Sequence, residues 1–229
     1  QDYAHELIAA GRAIDGTAVL AAAQSAGRGR MRRRWVSHHG NLYVSFIFDC
    51  PERDARLSYS VAVAIAETIA SFGIHPTIKW PNDILVNGRK VAGILCEAEL
   101  SGEHAAIVVG IGINISFTQE QLPVRVLYPA TSLLLELGDN AVLPSPVGLA
   151  EGVAVALKEQ FEQFYLSHQV FDRWSRYDIL AGKRITISTP DRGIVAGIAS
   201  GITPSGELKL IDEQTGFLSV ITAGSIIEA

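Results

Sequence analysis

The sequence predicts an α+β protein: a mixed, mostly antiparallel sheet with helices packed on it, followed by a small all-β barrel. Three observations carry this. Strand-like runs at Asp83–Val86 and Val91–Leu100 lie on either side of Asn87-Gly88, a strong two-residue hairpin signal. Leu57, Val61, Ala64, Ile65, Thr68 and Ile69 recur at helical spacing within Arg56–Phe72, which stops at Gly73. From Gly182 helical periodicity disappears, and short strands alternate with Gly, Pro, Asp and Ser turns. A boundary between Leu180 and Lys183 divides the chain into units 1–180 and 181–229.

Each element follows from local pattern. Asp2–Ala10 reads as a short helix ending near Gly11, and Thr17–Gln24 is small and apolar enough for a buried strand. Ser25–Gly40 is a polar loop rich in Gly and Arg, and Asn41–Phe48 is a strand by its aromatic and β-branched content. After the long helix come strands at Thr77–Trp80 and Asp83–Val86. The hairpin and a meander of Val91–Leu100 and Ala105–Ile115, joined across Ser101-Gly102-Glu103, follow. Helices are predicted at Thr131–Leu137, Pro146–Gln169 and Phe171–Leu180. The barrel strands are Arg184–Ser188, Gly193–Ile202, Glu207–Ile211, Phe217–Thr222 and Ser225–Ile227. Helices packed on a largely sequential sheet make the first unit α+β.

Composition narrows the function. Hydrophobic residues at 48% and charged residues at 19% suit a globular protein with a proper core. A net charge of −5 argues against nucleic-acid binding as the main task, since that needs a basic face. Cys50 and Cys96 are far apart and lack metal-type spacing, so a disulfide framework is not expected and a reducing cytoplasm is the natural compartment. No apolar run has the length of a membrane span and no signal peptide opens the chain. The first helical pattern starts without a capping residue, from which residues upstream of Gln1 are expected.

Five of the fourteen arginines lie in the seven-residue run Arg28–Arg34, and no Asp or Glu occurs between Asp15 and Asp49. In an acidic protein this is a local cationic device. Its glycines let the backbone approach a ligand, and its arginines supply planar, permanently charged donors for phosphate or carboxylate oxygens. A solvated basic loop is the competing reading of the run alone. Gly27-x-Gly29 continues to Arg32, so the dinucleotide pattern G-x-G-x-x-G fails. Lys79-Trp80-Pro81-Asn82-Asp83 sets Asn82 and Asp83 at a strand entrance, where they face a pocket or merely close an Asx turn. Lys90 follows the hairpin and alone would pass for an exposed strand lysine. Gly110 and Gly112 remove side chains from a strand, for a ligand lying on the sheet or for close helix packing.

Together these segments resemble the biotin–protein ligases. The matching text is Gly27-Arg28-Gly29-Arg30 with Arg33, Trp35, Ser37 and Gly40-Asn41-Leu42-Tyr43; then Lys79-Trp80-Pro81-Asn82-Asp83; then Arg89-Lys90-Val91-Ala92-Gly93-Ile94-Leu95; then Gly110-Ile111-Gly112-Ile113-Asn114. The motifs occur in the family's order and span essentially the whole chain. The resemblance implies the biotin/lipoate ligase catalytic fold with a C-terminal SH3-like barrel over Gly182–Ala229. It also implies an ATP- and Mg²⁺-dependent enzyme that makes biotinyl-5′-AMP and passes biotin to a lysine of a biotin carboxyl carrier domain of a carboxylase. ATP, Mg²⁺ and biotin are then co-substrate, ion and substrate, with no tightly bound prosthetic group, and a homodimer is compatible with it.

By the same resemblance Gln24, Gly27, Arg28, Gly29, Arg30, Lys90, Gly93 and Gly110 bind biotin. Arg33, Trp35, Lys79, Asn82 and Asn114 bind the nucleotide, and Lys90, Arg30 and Asp83 are catalytic. Asp83 stands near the acceptor lysine or the metal, with metal ligands unassigned. The family's loop usually reads Gly-Arg-Gly-Arg-x-Gly-Arg, and here Arg32 takes the place of its last glycine. If that place needs positive φ, the loop bends differently or Arg32 is strained. The family's biotin-contacting Ser-Thr pair would precede Gln1, and no helix-turn-helix repressor unit is encoded in these residues. A lipoate–protein ligase would share the fold, but its usual Arg-Arg-x-x-Gly-Gly-Gly loop is not found. A nucleic-acid-binding module using Arg28–Arg34 would leave Lys79–Asp83, Lys90 and Gly110–Gly112 without a purpose.

Overall fold

The computed structural model describes residues 1–49, 57–101, 104–123, 129–166 and 169–229. Cys50, Arg56 and the Gly102-Glu103 part of the predicted connection lie outside them. Six strands form the first sheet in the order β1-β2-β6-β5-β4-β3. They are β1 (Thr17–Leu20), β2 (Leu42–Asp49), β3 (Pro76–Lys79), β4 (Asp83–Val86), β5 (Arg89–Ser101) and β6 (His104–Ile113). Every ladder between them is antiparallel. The mixed character expected of the sheet is confined to two isolated parallel bridges, Ile78 to Asp178 and Lys90 to Ala130.

β1 ends at Leu20, short of the predicted Gln24, with alternate residues half-buried and exposed; it is an edge strand and not a buried one. Asn87 (φ +51°) and Gly88 (φ +73°) both take the left-handed conformation that a tight primed hairpin turn requires. The helices are α1 (Asp2–Ala9), α2 (Leu57–Ala70), α3 (Leu133–Leu137), α4 (Pro146–Leu166) and α5 (Gln169–Tyr177). α2 is buried on nearly every side, which is why its pattern is apolar beyond a single stripe. α3 starts later than predicted because the Ser132 side chain caps it, accepting from the Leu135 N–H at 3.2 Å.

The C-terminal strands are β7 (Arg184–Thr189), β8 (Gly193–Ile202), β9 (Leu208–Ile211), β10 (Leu218–Ile221) and β11 (Ser225–Glu228). They form an antiparallel sheet in the order β10-β9-β8-β7-β11, whose ladders leave β10 and β11 at its two ends. The small β unit is therefore present, and its ladders do not close. One apolar cluster runs through both parts of the chain, from Phe46, Ile65 and Ile78 to Ile187, Leu208 and Ile226. Trp80, 1% exposed, donates its indole N–H to the Gly206 carbonyl at 3.0 Å and ties the sheets together. Cys96 is a free thiol. Among the described residues no helix is long and apolar enough to cross a membrane.

Candidate active site

A cavity of about 630 Å³ opens on one face of the six-stranded sheet. Strand register builds its floor. Tyr43 (β2) lies opposite Gly112 (β6), Gly112 opposite Gly93 (β5), Gly93 opposite Asp83 (β4), and Asp83 opposite Lys79 (β3). Directly paired residues point to the same face, so five strands present one row in which two positions carry no side chain and two carry charge. The next row runs Ser45, Gly110, Leu95. All of these residues line the cavity.

Lys90 reaches this face through an irregularity. Strict alternation from Gly93 would turn Lys90 to the opposite side of the sheet. The β4–β5 register slips between Ile84 and Leu85, so that Leu85 pairs with Lys90 instead of Val91. Such a bulge re-aims one side chain. Lys90 Nζ thereby lies 2.5 Å from Asp83 Oδ1, and the buried Lys79 places its Nζ 3.3 Å from Oδ2. Burial pushes the Lys79 ammonium down to about 8 against the attraction of Asp83. Asp83 is the only carboxylate lining the cavity among the described residues, and two lysines hold it.

The arginine run is a small hairpin. Gly29 N–H donates to the Arg33 carbonyl (2.7 Å), Trp35 N–H donates to that of Gly27 (2.9 Å), and Arg28 and Arg34 form a bridge. Met31 (φ +55°) and Arg32 (φ +57°) turn its tip. The place where the motif has Arg32 instead of glycine is thus left-handed, and the arginine is strained there. Gly27 does not line the cavity: a β-carbon there would stand 2.6 Å from the Trp35 carbonyl oxygen and 2.7 Å from Ser37 Oγ, so this glycine lets the hairpin close on itself. Arg28 lines the cavity with its guanidinium bonded to Asp2 and, at 2.8 Å, to Glu97. Arg30 reaches Asn82 Oδ1 at 3.5 Å, and Asn82 donates to the Ile94 carbonyl at 2.7 Å.

Trp35 lies across the glycine row. A β-carbon on Gly112 or Gly93 would come within 2.8 Å of its ring, and Lys90 Nζ stands 5.0 Å from the ring centroid. Among the described residues its buried indole N–H has no hydrogen-bond partner. Asn114 also lines the cavity, but its amide nitrogen donates to the Thr131 carbonyl (2.8 Å) and lies 3.5 Å from that of Lys90, so it holds the segment carrying Lys90. Gln24, Gly29 and Arg33 complete the predicted residues found here.

Among the contributors that sequence reasoning missed are residues from three places. Gln1 donates to the Leu95 carbonyl at 2.8 Å and covers Gly110, where a β-carbon would sit 2.5 Å from its Cδ. Ser45 arrives through register. Gly224, Ser225 and Ile226 come from the C-terminal sheet, and Ser225 Oγ accepts from Arg33 at 3.3 Å. Nothing local announces a partner 192 residues away.

A family model described as the biotin/lipoate A/B protein ligase family matches residues 1–114. The bifunctional ligase/repressor BirA of Bacillus spizizenii is 34% identical over 97% of this chain and 69% of its own length. The biotin–[acetyl-CoA-carboxylase] ligase of Mycobacterium tuberculosis is 31% identical over 96% of this chain and 81% of its own. The chain belongs to the biotin–protein ligase family. Among solved structures, the Aquifex aeolicus biotin protein ligase in complex with biotin and ATP covers 95% of the chain and is itself covered to 91%, with a TM-score of 0.80 and 25% identity.

Proposed function

We propose that this ligase-family chain condenses biotin with ATP to biotinyl-5′-AMP and then transfers biotin to a lysine of a biotin carboxyl carrier domain. The observation that carries the reading is the convergence of Arg30, Arg33, Lys79 and Lys90 on a cavity with a glycine floor, together with relatives named for this activity. In the first step a biotin carboxylate oxygen attacks the α-phosphorus and pyrophosphate leaves. Two anions must meet, so fixed cations have to cancel their repulsion as charge builds. Lys90 is suited to the carboxylate and phosphate oxygens, and Asp83 keeps its ammonium aimed into the cavity. Arg30 serves the acyl-phosphate; Arg33 and Lys79 serve the phosphate side.

Gln24, Arg28, Gly29, Gly93 and Gly110 are assigned to biotin, with Gly27 shaping the hairpin. Trp35, Asn82 and Asn114 are assigned to the nucleotide, Asn114 by holding Lys90 in place. In the second step the acceptor amine attacks the carbonyl carbon, the C–O bond to phosphate breaks and AMP departs, while the amine proton needs an acceptor. Asp83 is the carboxylate in reach. Mg²⁺ enters with ATP: among the described residues no three His, Cys, Asp or Glu cluster to cage a metal, which fits an ion held chiefly by phosphates. A reducing cytoplasm suits the free thiol of Cys96.

The test is incubation with MgATP and either biotin or lipoate, followed by mass spectrometry of the bound product and a pyrophosphate assay. Biotinyl-AMP with biotin and nothing with lipoate is expected. Pyrophosphate release with lipoate alone would overturn the substrate.

A further inference from the structure

The backbone of Lys90 is held from outside the sheet. Its N–H donates to the Pro129 carbonyl at 2.8 Å, and its carbonyl accepts from the Thr131 N–H at 2.9 Å. Both backbone groups of the residue that the register slip re-aims are therefore taken by the segment 129–131. Glu136 on α3 gathers the surroundings of that contact. Its side chain is 4% exposed. Oε1 accepts from Arg89 Nη2 at 2.8 Å and from Thr131 Oγ1 at 2.5 Å, and Oε2 accepts from Asn87 Nδ2 at 2.8 Å. One carboxylate thus grips the hairpin turn before Lys90, the residue next to it, and the segment that binds its backbone. Lys90, Asn114 and Ala130 line the cavity, and Glu136 does not. Glu67 gathers a comparable set of donors from Gln160 and Arg173, but neither these residues nor their chain neighbours line the cavity.

We infer that Glu136 is a positioning residue for adenylation: it fixes the bulge, and through the bulge it aims the Lys90 ammonium. The inference rests on the ligase reading and adds to it a residue that never meets the substrate. A change of register by one residue carries a side chain to the opposite face of a sheet. The slip beside Lys90 has to be held against that change, and the hold comes from both sides of it. Charge-assisted bonds to a buried carboxylate are stronger and more directional than bonds in water, so one group can tie the turn to the segment. Asn114 fastens the same segment from the other side, through the Thr131 carbonyl.

Single-turnover adenylation tests this in Glu136 variants, made alone and on a Lys90→Ala background. Glu136→Ala should slow adenylation by about 10–10²-fold, the scale of a 1 Å misplacement, and leave biotin Kd nearly unchanged. Glu136→Gln keeps an acceptor for Arg89 and Thr131 and should stay within about threefold of the wild type. On the Lys90→Ala background Glu136→Ala should add almost nothing to the loss, because no ammonium remains to be aimed. A purely structural role would instead slow both backgrounds by the same factor. Thr131→Val keeps the volume and removes only the hydroxyl that joins the segment to Glu136. It should slow adenylation about fivefold, again only when Lys90 is present, and it carries the test if Glu136→Ala does not fold. An unaltered adenylation rate in these variants would overturn the inference, as would an equal loss with and without Lys90. Failure of the wild type to form biotinyl-AMP at all would fall on the ligase reading itself, and on this inference with it.

Discussion

The hairpin of residues 27–35 and the row Tyr43–Gly112–Gly93–Asp83–Lys79 line one cavity, yet different forces hold them. The row is fixed by backbone ladders across five strands, and its outward neighbours Ile78, Ile84, Ala92 and Ile113 are fully buried. The hairpin has three inner backbone bonds, side-chain pairs at the rim and an exposed tip in a costly conformation. Segments with few buried contacts open most readily. The floor therefore carries its charge on a fixed framework, and the hairpin carries its charge on a less firmly held segment.

The largest effect should come from the floor. Lys90→Ala removes the one cation that the bulge brings onto the cavity face, and adenylate formation should slow by roughly 10²–10³, about 2.7–4 kcal/mol of barrier. Biotin affinity should change far less, because the charge matters most as the oxygens rearrange. Single-turnover kinetics decide this: an unaltered adenylation rate would reduce Lys90 to an exposed strand lysine.

A second break tests the floor's shape. Gly112→Ala puts a methyl 2.8 Å from the Trp35 ring, and the ring must move. Overpacking of this kind typically costs about 1–3 kcal/mol, and here it should appear as weaker adenylate binding, since the methyl faces the cavity and not the core. Calorimetric Kd and the melting temperature separate the two outcomes. An unaltered Kd with a lowered melting temperature would mean that the glycine serves only folding.

Much of the floor was legible because its parts are local. Asn87-Gly88 announces a hairpin, Gly110 and Gly112 announce a strand without side chains, and Lys79–Asp83 announces a polar strand entrance. Their convergence was legible only through the family resemblance and not from local pattern. Lys90 points into the cavity only because the ladder slips beside it, and a single extra residue leaves no mark in the sequence. Gly27 shows the same limit: a ligand and a neighbouring Trp35 carbonyl demand the same missing side chain, and only the structure shows the carbonyl there. Trp80–Gly206 and Arg33–Ser225 join residues remote in sequence, and the edge position of β1 depends on what lies beside it. Arg32 in the motif's glycine place left two alternatives, a loop bent differently or a strained arginine, and φ +57° selects the second.

Titration sharpens the comparison at smaller scale. Lys79 in the free protein has its pKa lowered by burial to about 8 from the ordinary 10.5. A bound phosphate favours the charged form and so raises that value in the complex. ATP affinity should then hold steady below pH 8 and fall above it by up to about tenfold per unit until the complex also titrates. Folding stability should run the other way: between 8 and 10.5 the unfolded chain binds more protons at this lysine, so its contribution grows with pH. Lys79→Arg, permanently charged, should remove the inflection in ATP affinity. A profile of the same shape in that variant would place the titrating group elsewhere.

The smallest effect is expected at the hairpin tip. Arg32→Gly restores the motif's usual residue at φ +57°. A non-glycine residue held left-handed costs on the order of 1–3 kcal/mol, which glycine relieves. Glycine also has more freedom to lose when the tip orders, about 0.4–1 kcal/mol in the opposite direction. The lost charge weakens attraction of ATP only slightly, because exposed charge is screened over roughly 8 Å at physiological salt. Strain relief exceeds the other two, so the variant should hold biotinyl-AMP as tightly as the wild type or somewhat more tightly, read as the dissociation rate of preformed adenylate. Faster dissociation that persists at high salt would mean that the Arg32 side chain itself touches the ligand, and the tip would then belong with the floor as a fixed part of the site.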